Sequence, residues 1–597
     1  MSTTPDITLD IEGKQGGIEG AKTVDERKAL ATDIMLMVTD AENAKGTLPD
    51  RWESVEALYN LEEYTRAYKP HDGAAEFCFP LMTSRIDALE ASVCNPILQA
   101  YPYFTAKASG DGAMKTDMAE KSVHWVFDIN NWSALARLGA HIAAMTGRTI
   151  YRTWFDARVK GFSADTPDLQ SYESGEVEYA VPRIDVIHPK DFVIYPLAEA
   201  HITGARMVGH RDYMRRASVE EYQRAGIWYA DGAGLSEAAA IEVAGKSQEF
   251  ARTSPSLTSI HADNLIQIYF LTVKFDLNKD GSEEWYEVVY ALDTDTLLDI
   301  KPYIWSRPGY FAPGFHQEYR TFFPATSHGK KLEQLTLAYN EALNLFFDGV
   351  EHSAFPATFY NPDSGGMQDQ FTKMHPGDLI PTNGNPSIQQ VAVNFNPQNF
   401  PMILDKFENL ADQVVNQPIT SIGGQFAPGT TATAANQSAA GQSQTQNKNL
   451  EAFAGNEMCS MANFILELLA ANPEVIKSVY GDSAPWTDAS ELQLKCTWEV
   501  TGKSQNSNPQ VVIQKIDSLM GVVERMGLAD RVDRDGLLQM TVQALDLPNT
   551  GRVLYSPEEI QSNAIQQQQQ LAAQQGIGPA PEPGMGEYPP VPMQFEG

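Results

Sequence analysis

An α+β fold is predicted by two kinds of sequence and the order in which they come. Apolar residues recur at three- and four-residue spacing up to Gly147 and again after Ser327, as amphipathic helices require. Between them lie β-branched and aromatic runs bounded by turn residues, as strands require. A third observation concerns charge. No Asp, Glu, Lys, Arg or His occurs from Gln413 to Asn447, although the chain carries a net charge of −33. Acid–base chemistry and phosphate binding need titratable or basic groups. That segment is therefore built to pack, slide or line something, a mechanical part rather than a catalyst.

Taken in order, residues 1 to about 25 are rich in Gly, Thr and Asp and predict a loose arm. Helical spacing covers Ser84-Arg85-Ile86-Asp87-Ala88-Leu89 and the run 132–145. Strands are predicted at 148–155, 184–187, 192–195 and 206–210, then a short helix at 218–225 and an Ala/Gly/Ser-rich loop at 229–259. The runs 265–275 and 285–292 form a hairpin around Asn278-Lys279-Asp280-Gly281, residues that tolerate the positive φ of a tight turn.

After Ser327, Leu332, Leu335, Tyr339, Leu343, Phe346 and Val350 make one apolar stripe, on a helix roughly 35–40 Å long. Residues 355–397 hold six prolines and short β-like pairs (379–380, 391–393), a small insert. A second helix places Phe400, Ile403, Phe407, Leu410 and Val414 on one face and Asp405, Glu408 and Asp412 on the other. Pro418 ends it, and Gly423, Gly424, Pro428 and Gly429 make 422–429 a loop. Residues 431–471 then read as one long helix without proline, with Gly441 and Gly455 as bend points. A strand at 492–500 precedes helices at 511–526 and 537–545. From 556 to 597 the chain is rich in Gln, Pro and Gly and lacks Lys and Arg, a disordered composition.

Composition sets outer bounds. A chain of 597 residues with 43% hydrophobic content supports two to four packed units. Its acidity opposes nucleic-acid binding of the kind that releases counterions through basic side chains. Cys78, Cys94, Cys459 and Cys496 show no metal-ligand spacing and read as buried thiols of a reducing compartment. No secretory signal is evident, and no apolar run approaches the ~20 residues that span a bilayer, so a soluble protein made in the cytoplasm is expected.

Few motifs carry chemistry. Gly-Lys-Ser triplets at 245–247 and 502–504 lack the upstream glycine of a phosphate loop, with Ala240 and Thr497 in its place. Asp276, Asn278, Asp280 and Glu287 satisfy the spacing of a calcium loop, but strand-like flanks replace the helices that motif requires, so an ordinary hairpin turn is expected. No nucleophile elbow or HExxH helix is present, and no cofactor is called for. The acidic stripe Asp405, Glu408, Asp412 reads either as a solvated face or as the wall of an acidic channel.

Three local stretches, Ser84-Arg85-Ile86-Asp87, the run 187–196 (Ile-His-Pro-Lys-Asp-Phe-Val-Ile-Tyr-Pro) and 208–213 (Val-Gly-His-Arg-Asp-Tyr), resemble the portal proteins, or head-to-tail connectors, of tailed double-stranded DNA phages. The order helix, insert, helix, Gly-rich loop, long bent helix and helical end resembles them too, over roughly 50–550. The resemblance implies a non-enzymatic, portal-type α+β fold assembling as a ring, usually of twelve. It implies an N-terminal arm at 1–49 and an α/β wing at 50–325 completed by a strand at 490–501. A two-helix stem would lie at 326–354 and 399–417, a clip at 355–398 and a tunnel loop at 418–430. A long bent helix would follow at 431–472, a helical crown at 506–550 and a disordered tail at 551–597. DNA would pass without sequence specificity along Asp405, Glu408, Asp412, Gly423, Gly424, Gln425 and Phe426. Partners would be the terminase large subunit, head–tail adaptor or tail proteins, and capsid or scaffolding protein. The setting would be the virion vertex, with assembly in host cytoplasm and no membrane. Another virion structural protein is the alternative reading, and a calcium-dependent hydrolase resting on 276–287 a more distant one.

Overall fold

The computed structural model of the chain describes residues 23–62, 66, 69–99, 102–107, 113–159, 177–224, 228–229, 265–292, 294–316, 318, 320–360, 375–381, 389–390, 398, 400–415, 448–486, 492, 496–500, 520–521 and 525. The Gly-Lys-Ser triplets, the expected tunnel loop, nearly all of the expected crown and the tail lie outside these residues. Two compact units divide the chain, Met1–Ser504 and Gln505–Gly597, and the elements below belong to the first.

In chain order these are α1 (Val24–Lys45), α2 (Leu48–Tyr59), α3 (Leu81–Gln99), β1 (Phe104–Lys107), α4 (Ala113–Ile129), α5 (Trp132–Thr146), β2 (Ile150–Val159) and β3 (Val177–Ile187). Next come β4 (Phe192–Tyr195), β5 (Met207–Arg215), α6 (Arg216–Arg224), β6 (Leu265–Phe275), β7 (Glu284–Ala291), β8 (Thr296–Pro302) and β9 (Tyr310–Phe311). The rest are α7 (His328–Ala354), β10 (Thr358–Tyr360), β11 (Leu379–Pro381), β12 (Gln389–Gln390), α8 (Phe400–Val415), α9 (Asn456–Ala471), α10 (Pro473–Tyr480) and β13 (Thr497–Val500). Helix and strand are mixed as an α+β class requires.

The expected arm at 1–49 is a folded element from Thr23 onward. Thr23 Oγ1 accepts the Glu26 N–H at 3.2 Å, and Glu26 Oε2 accepts the Thr23 N–H at 3.0 Å, a reciprocal cap that starts α1. Leu30, Ile34, Met37, Val38 and Ala41 of that helix are buried against an antiparallel sheet ordered β4-β5-β6-β7-β8. The period of two along β6 sends Tyr269, Leu271, Val273 and Phe275 to α1 and Ile266 and Ile268 to the opposite face, where Val219 of α6 and Trp228 meet them.

The β6–β7 hairpin runs where it was expected. Asp276 Oδ1 accepts the Asp280 N–H at 3.1 Å and Oδ2 accepts the Gly281 N–H at 3.0 Å, while Lys279 and Gly281 take positive φ. Asp276 thus serves as a turn cap. Glu287 lies in β7, its carboxylate 3.3 Å from Lys301 Nζ on the neighbouring strand.

A second sheet, β3-β2-β9, leans on the largest core, filled by α4, α5, α9 and α10. Met458, Met461, Phe464, Ile465, Leu468 and Leu469 bury α9 within it. The strand expected near 490–501 is β13, paired antiparallel with β1 from Phe104↔Val500 to Lys107↔Thr497. Of the cysteines, all free, Cys94 and Cys496 are buried and Cys78 and Cys459 only half-buried.

Helical residues 448–454 give way to α9 at Gly455, the second of the two bend points expected; Gly441 lies outside the described residues. A Cβ on Gly455 would stand 2.4 Å from the Glu451 carbonyl oxygen, so any side chain must push backbone apart. Gly455→Ala is therefore expected to destabilise the chain by about 1–3 kcal/mol. Denaturation of the purified variant against wild type reads this directly, and equal stabilities would show that the bend tolerates a side chain.

Candidate functional site: the α7–α8 pair and its strap

The expected two-helix element is present as α7 and α8, and the insert between them carries a three-stranded sheet ordered β11-β10-β12. Ser327 starts α7, its side chain accepting the Lys330 N–H at 3.0 Å. The root of the pair is packed into the body: Leu332, Ala411 and Val415 share a core with Val55, Leu81, Met82, Ile86, Leu89, Ala144 and Met145. Farther along, the helices meet through rings. Phe346 stacks on Phe400 at 4.1 Å between centroids, and Tyr339 meets Phe407 edge-on at 6.3 Å.

The expected α7 stripe is buried or half-buried at every position but Val350, while Leu337, Leu345 and Phe347, outside it, are exposed as well. On α8, Ala411 and Val415 take the inner positions, while Ile403 and Leu410, expected on the packed face, are exposed with Met402.

The acidic side chains also divide. Asp405 is exposed and Glu408 is half-buried, its Oε1 accepting from Tyr339 OH at 3.2 Å. Asp412 is buried, with Oδ1 3.0 Å from Arg85 Nε. Burial pushes the Asp412 carboxyl up even though Arg85 opposes the shift. The three residues therefore do not form one solvent-facing stripe in the single chain, and Arg85, within one of the resembling stretches, is the reason for Asp412. Arg211 and Asp191 of the other two stretches form a similar joint at 2.7 Å. Gly423, Gly424, Gln425 and Phe426 lie outside the described residues.

The sequence reading missed a ladder on α7. Asn340, Asn344 and Asp348 are all buried, four residues apart. An extended strap, residues 74–79, lies across them. Asp348 Oδ1 accepts the Ala75 N–H at 2.8 Å, Asn344 Oδ1 the Phe77 N–H at 2.9 Å and Asn340 Oδ1 the Phe79 N–H at 3.0 Å. Two extended residues advance about 6.6–6.8 Å and four helical residues about 6.0 Å, so the two periods stay in step over three rungs. Asn344 also donates to the Phe77 carbonyl at 3.0 Å. Phe77 and Phe79 cover Phe347 from the strap side.

Arg66 fastens the strap's upstream end. Its side chain is fully buried, with Nη1 2.6 Å from Asp348 Oδ2 and Nη2 2.9 Å from Glu341 Oε1. Nη1 also donates to the Ala75 carbonyl at 2.9 Å. The Asn-x3-Asn-x3-Asp spacing was the available signal, but without the strap nothing marked it as buried. At the other end, His328 opens α7 beside His316, with ring centroids 4.7 Å apart. Burial and the nearby Lys331 push His316 down to about 4; burial, His316 and Lys331 push His328 down to about 3.

Among the described residues no catalytic constellation emerges around the pair; its chemistry is that of helices locked to a body at one end and carrying an insert at the other. No curated protein matches the chain. A family model described as "Phage SU10 portal protein" matches residues 156–577, well over half of the sequence and all of α7, α8 and the insert. The chain thus belongs to the phage SU10 portal protein family.

Proposed function

We propose that copies of this chain, twelve by the family pattern, close into a ring at one vertex of a phage capsid, through which double-stranded DNA is packaged and later ejected. Beyond family membership, one observation carries the reading. Leu337, Leu345, Val350, Met402, Ile403 and Leu410 remain exposed on the outer faces of α7 and α8, although the same helices are firmly packed at their roots. Apolar side chains in such density call for a cover, and in a closed ring each neighbouring copy supplies it.

In this proposal 50–325 with 490–501 forms the wing, 326–354 and 399–417 the stem, 355–398 the clip, and 418–430 the tunnel loop. The long bent helix is 431–472 and the crown 506–550. The exposed Asp405, and Glu408 beside it, face the bore with Gly423, Gly424, Gln425 and Phe426. Carboxylates repel phosphates over about 8 Å at physiological salt, so the duplex is centred without being held. Asp412, spent on Arg85, contributes as a joint rather than as free charge. The clip docks the terminase and then the head–tail adaptor, and the wing meets capsid or scaffolding protein. The role is structural, and the hairpin at Asp276, Asn278, Asp280 and Glu287 needs no ion for it.

The test is negative-stain imaging of purified protein with native mass in parallel. Rings with a central hole are expected, and Leu345→Asp with Ile403→Asp should abolish them. Because both positions are exposed in the single chain, its stability should change by no more than about 0.5 kcal/mol per site. Rings that persist in the double variant would remove these faces from the interface.

A further inference from the structure

We infer that the crossing of the strap over the C-terminal end of α7 binds one divalent first-row transition cation, held by His71, Asp348 and Glu351. The inference stands apart from the portal reading and uses residues outside the proposed channel.

His71 is 1% exposed. Its Nδ1 lies 3.2 Å from the Asp72 carbonyl oxygen. A carbonyl can only accept, so Nδ1 is the donor of that contact and Nε2 is the ring nitrogen left to meet a ligand. That Nε2 is buried, and no described group donates to it. A ring nitrogen of His71 and one carboxylate oxygen each from Asp348 and Glu351 lie within 4.8 Å of one another. Donors around one zinc-sized ion sit at about 2.0–2.2 Å from it, hence about 3–4 Å apart, a span that small side-chain rotations reach. An imidazole whose Nδ1–H is held by a backbone carbonyl while Nε2 points elsewhere is oriented as metal-bound histidines are.

Charge favours a dication. Asp348, Glu341 and Glu351 supply three negative charges against the single positive charge of Arg66, leaving −2. One M²⁺ neutralises that cluster. A donor set mixing imidazole with carboxylate excludes the all-oxygen preference of calcium and magnesium and suits zinc, cobalt or manganese. His352 and His375 have ring centroids 5.0 and 5.4 Å from that of His71, so a second imidazole is within reach. His375 belongs to the insert, and its Nδ1 is 3.1 Å from the same Asp72 carbonyl. A bound ion therefore pins three segments at one point: the strap, the end of α7 and the base of the insert.

The experiment uses the full chain, stripped with chelator and titrated with Co²⁺ and with Zn²⁺ alone. One equivalent of Co²⁺ per chain should give d–d absorption, and saturating Zn²⁺ should raise the thermal transition. Glu351→Gln, at an exposed position, should weaken Co²⁺ binding at least tenfold, and His71→Gln should remove the absorption bands. Asp405→Asn on α8 should change neither. If His71→Gln misfolds, Glu351→Gln alone decides. Absence of d–d bands at millimolar Co²⁺, or binding unchanged in Glu351→Gln, would overturn the assignment.

Discussion

Arg66→Ala is expected to detach the strap from α7 and to cost about 3–5 kcal/mol, because it leaves Asp348 charged, buried and without the guanidinium it pairs with. Arg66 meets Asp348, Glu341 and the Ala75 carbonyl at once, and its side chain is fully buried, so no water takes its place cheaply. Exposed pairs offer the contrast: Lys69 and Glu76, also on this segment at 2.6 Å, are both partly exposed, and Lys69→Ala should cost at most about 1 kcal/mol. Amide hydrogen exchange gives the local readout. The Ala75, Phe77 and Phe79 amides, all bonded to α7 side chains, should lose protection in Arg66→Ala and keep it in Lys69→Ala. Unchanged protection in both would mean that the Asn340–Asn344 rungs hold the strap unaided.

The second large effect follows pH. His316 and His328 are held neutral in the folded chain by burial, with values of about 4 and about 3. An unfolded histidine titrates near 6.5, so on acidification the unfolded state binds protons that the folded state refuses. Their contribution to stability is intact above about pH 6.5 and is lost as pH falls toward those folded values. At pH 5 each ring should cost about 2 kcal/mol relative to neutral pH. His328 also occupies the first turn of α7, where the helix dipole disfavours a cation. Lys331 adds to the repulsion, and Glu318 only partly counters it for His316. Urea denaturation at pH 7, 6 and 5 should show wild type weakening more steeply than a His316→Gln/His328→Gln double variant. Parallel curves would place the acid sensitivity elsewhere.

How much of this was legible before the fold was known depends on where each residue's partner lies. The β6–β7 hairpin could be read because its period, its length and its Asn-Lys-Asp-Gly turn are all local. The kink at Gly455 was legible for the same reason. The Thr23–Glu26 cap was also written locally, as Thr-x-x-Glu, yet the Gly-rich residues before it drew attention to an arm. Asn340, Asn344 and Asp348 were illegible because their partners lie more than 250 residues upstream in an extended segment with no pattern of its own. Asp412 failed in the same way: its spacing from Asp405 and Glu408 was visible, but Arg85, which turns it inward, was not. Ile403 and Leu410 look like core by periodicity, and only the packed geometry shows that Ala411 and Val415 took that place.

The pairing of β1 with β13 bears on the timing of synthesis. Phe104 and Ala106 belong to the main core, and so do Trp498 and Val500 opposite them. Ribosomes add about 5–20 residues per second, so the first strand waits roughly 20–80 s for its mate. During that interval its edge and the apolar bed beneath it stay open, and α9, which fills the same bed, is also a late arrival. A subunit therefore cannot reach its finished shape until nearly all of it has been translated. Fragments from interrupted translation would carry an unfinished core and fall to proteolysis. If copies close into a ring as proposed, that is a built-in inspection: only chains made at least through Val500 carry the finished core with which to join.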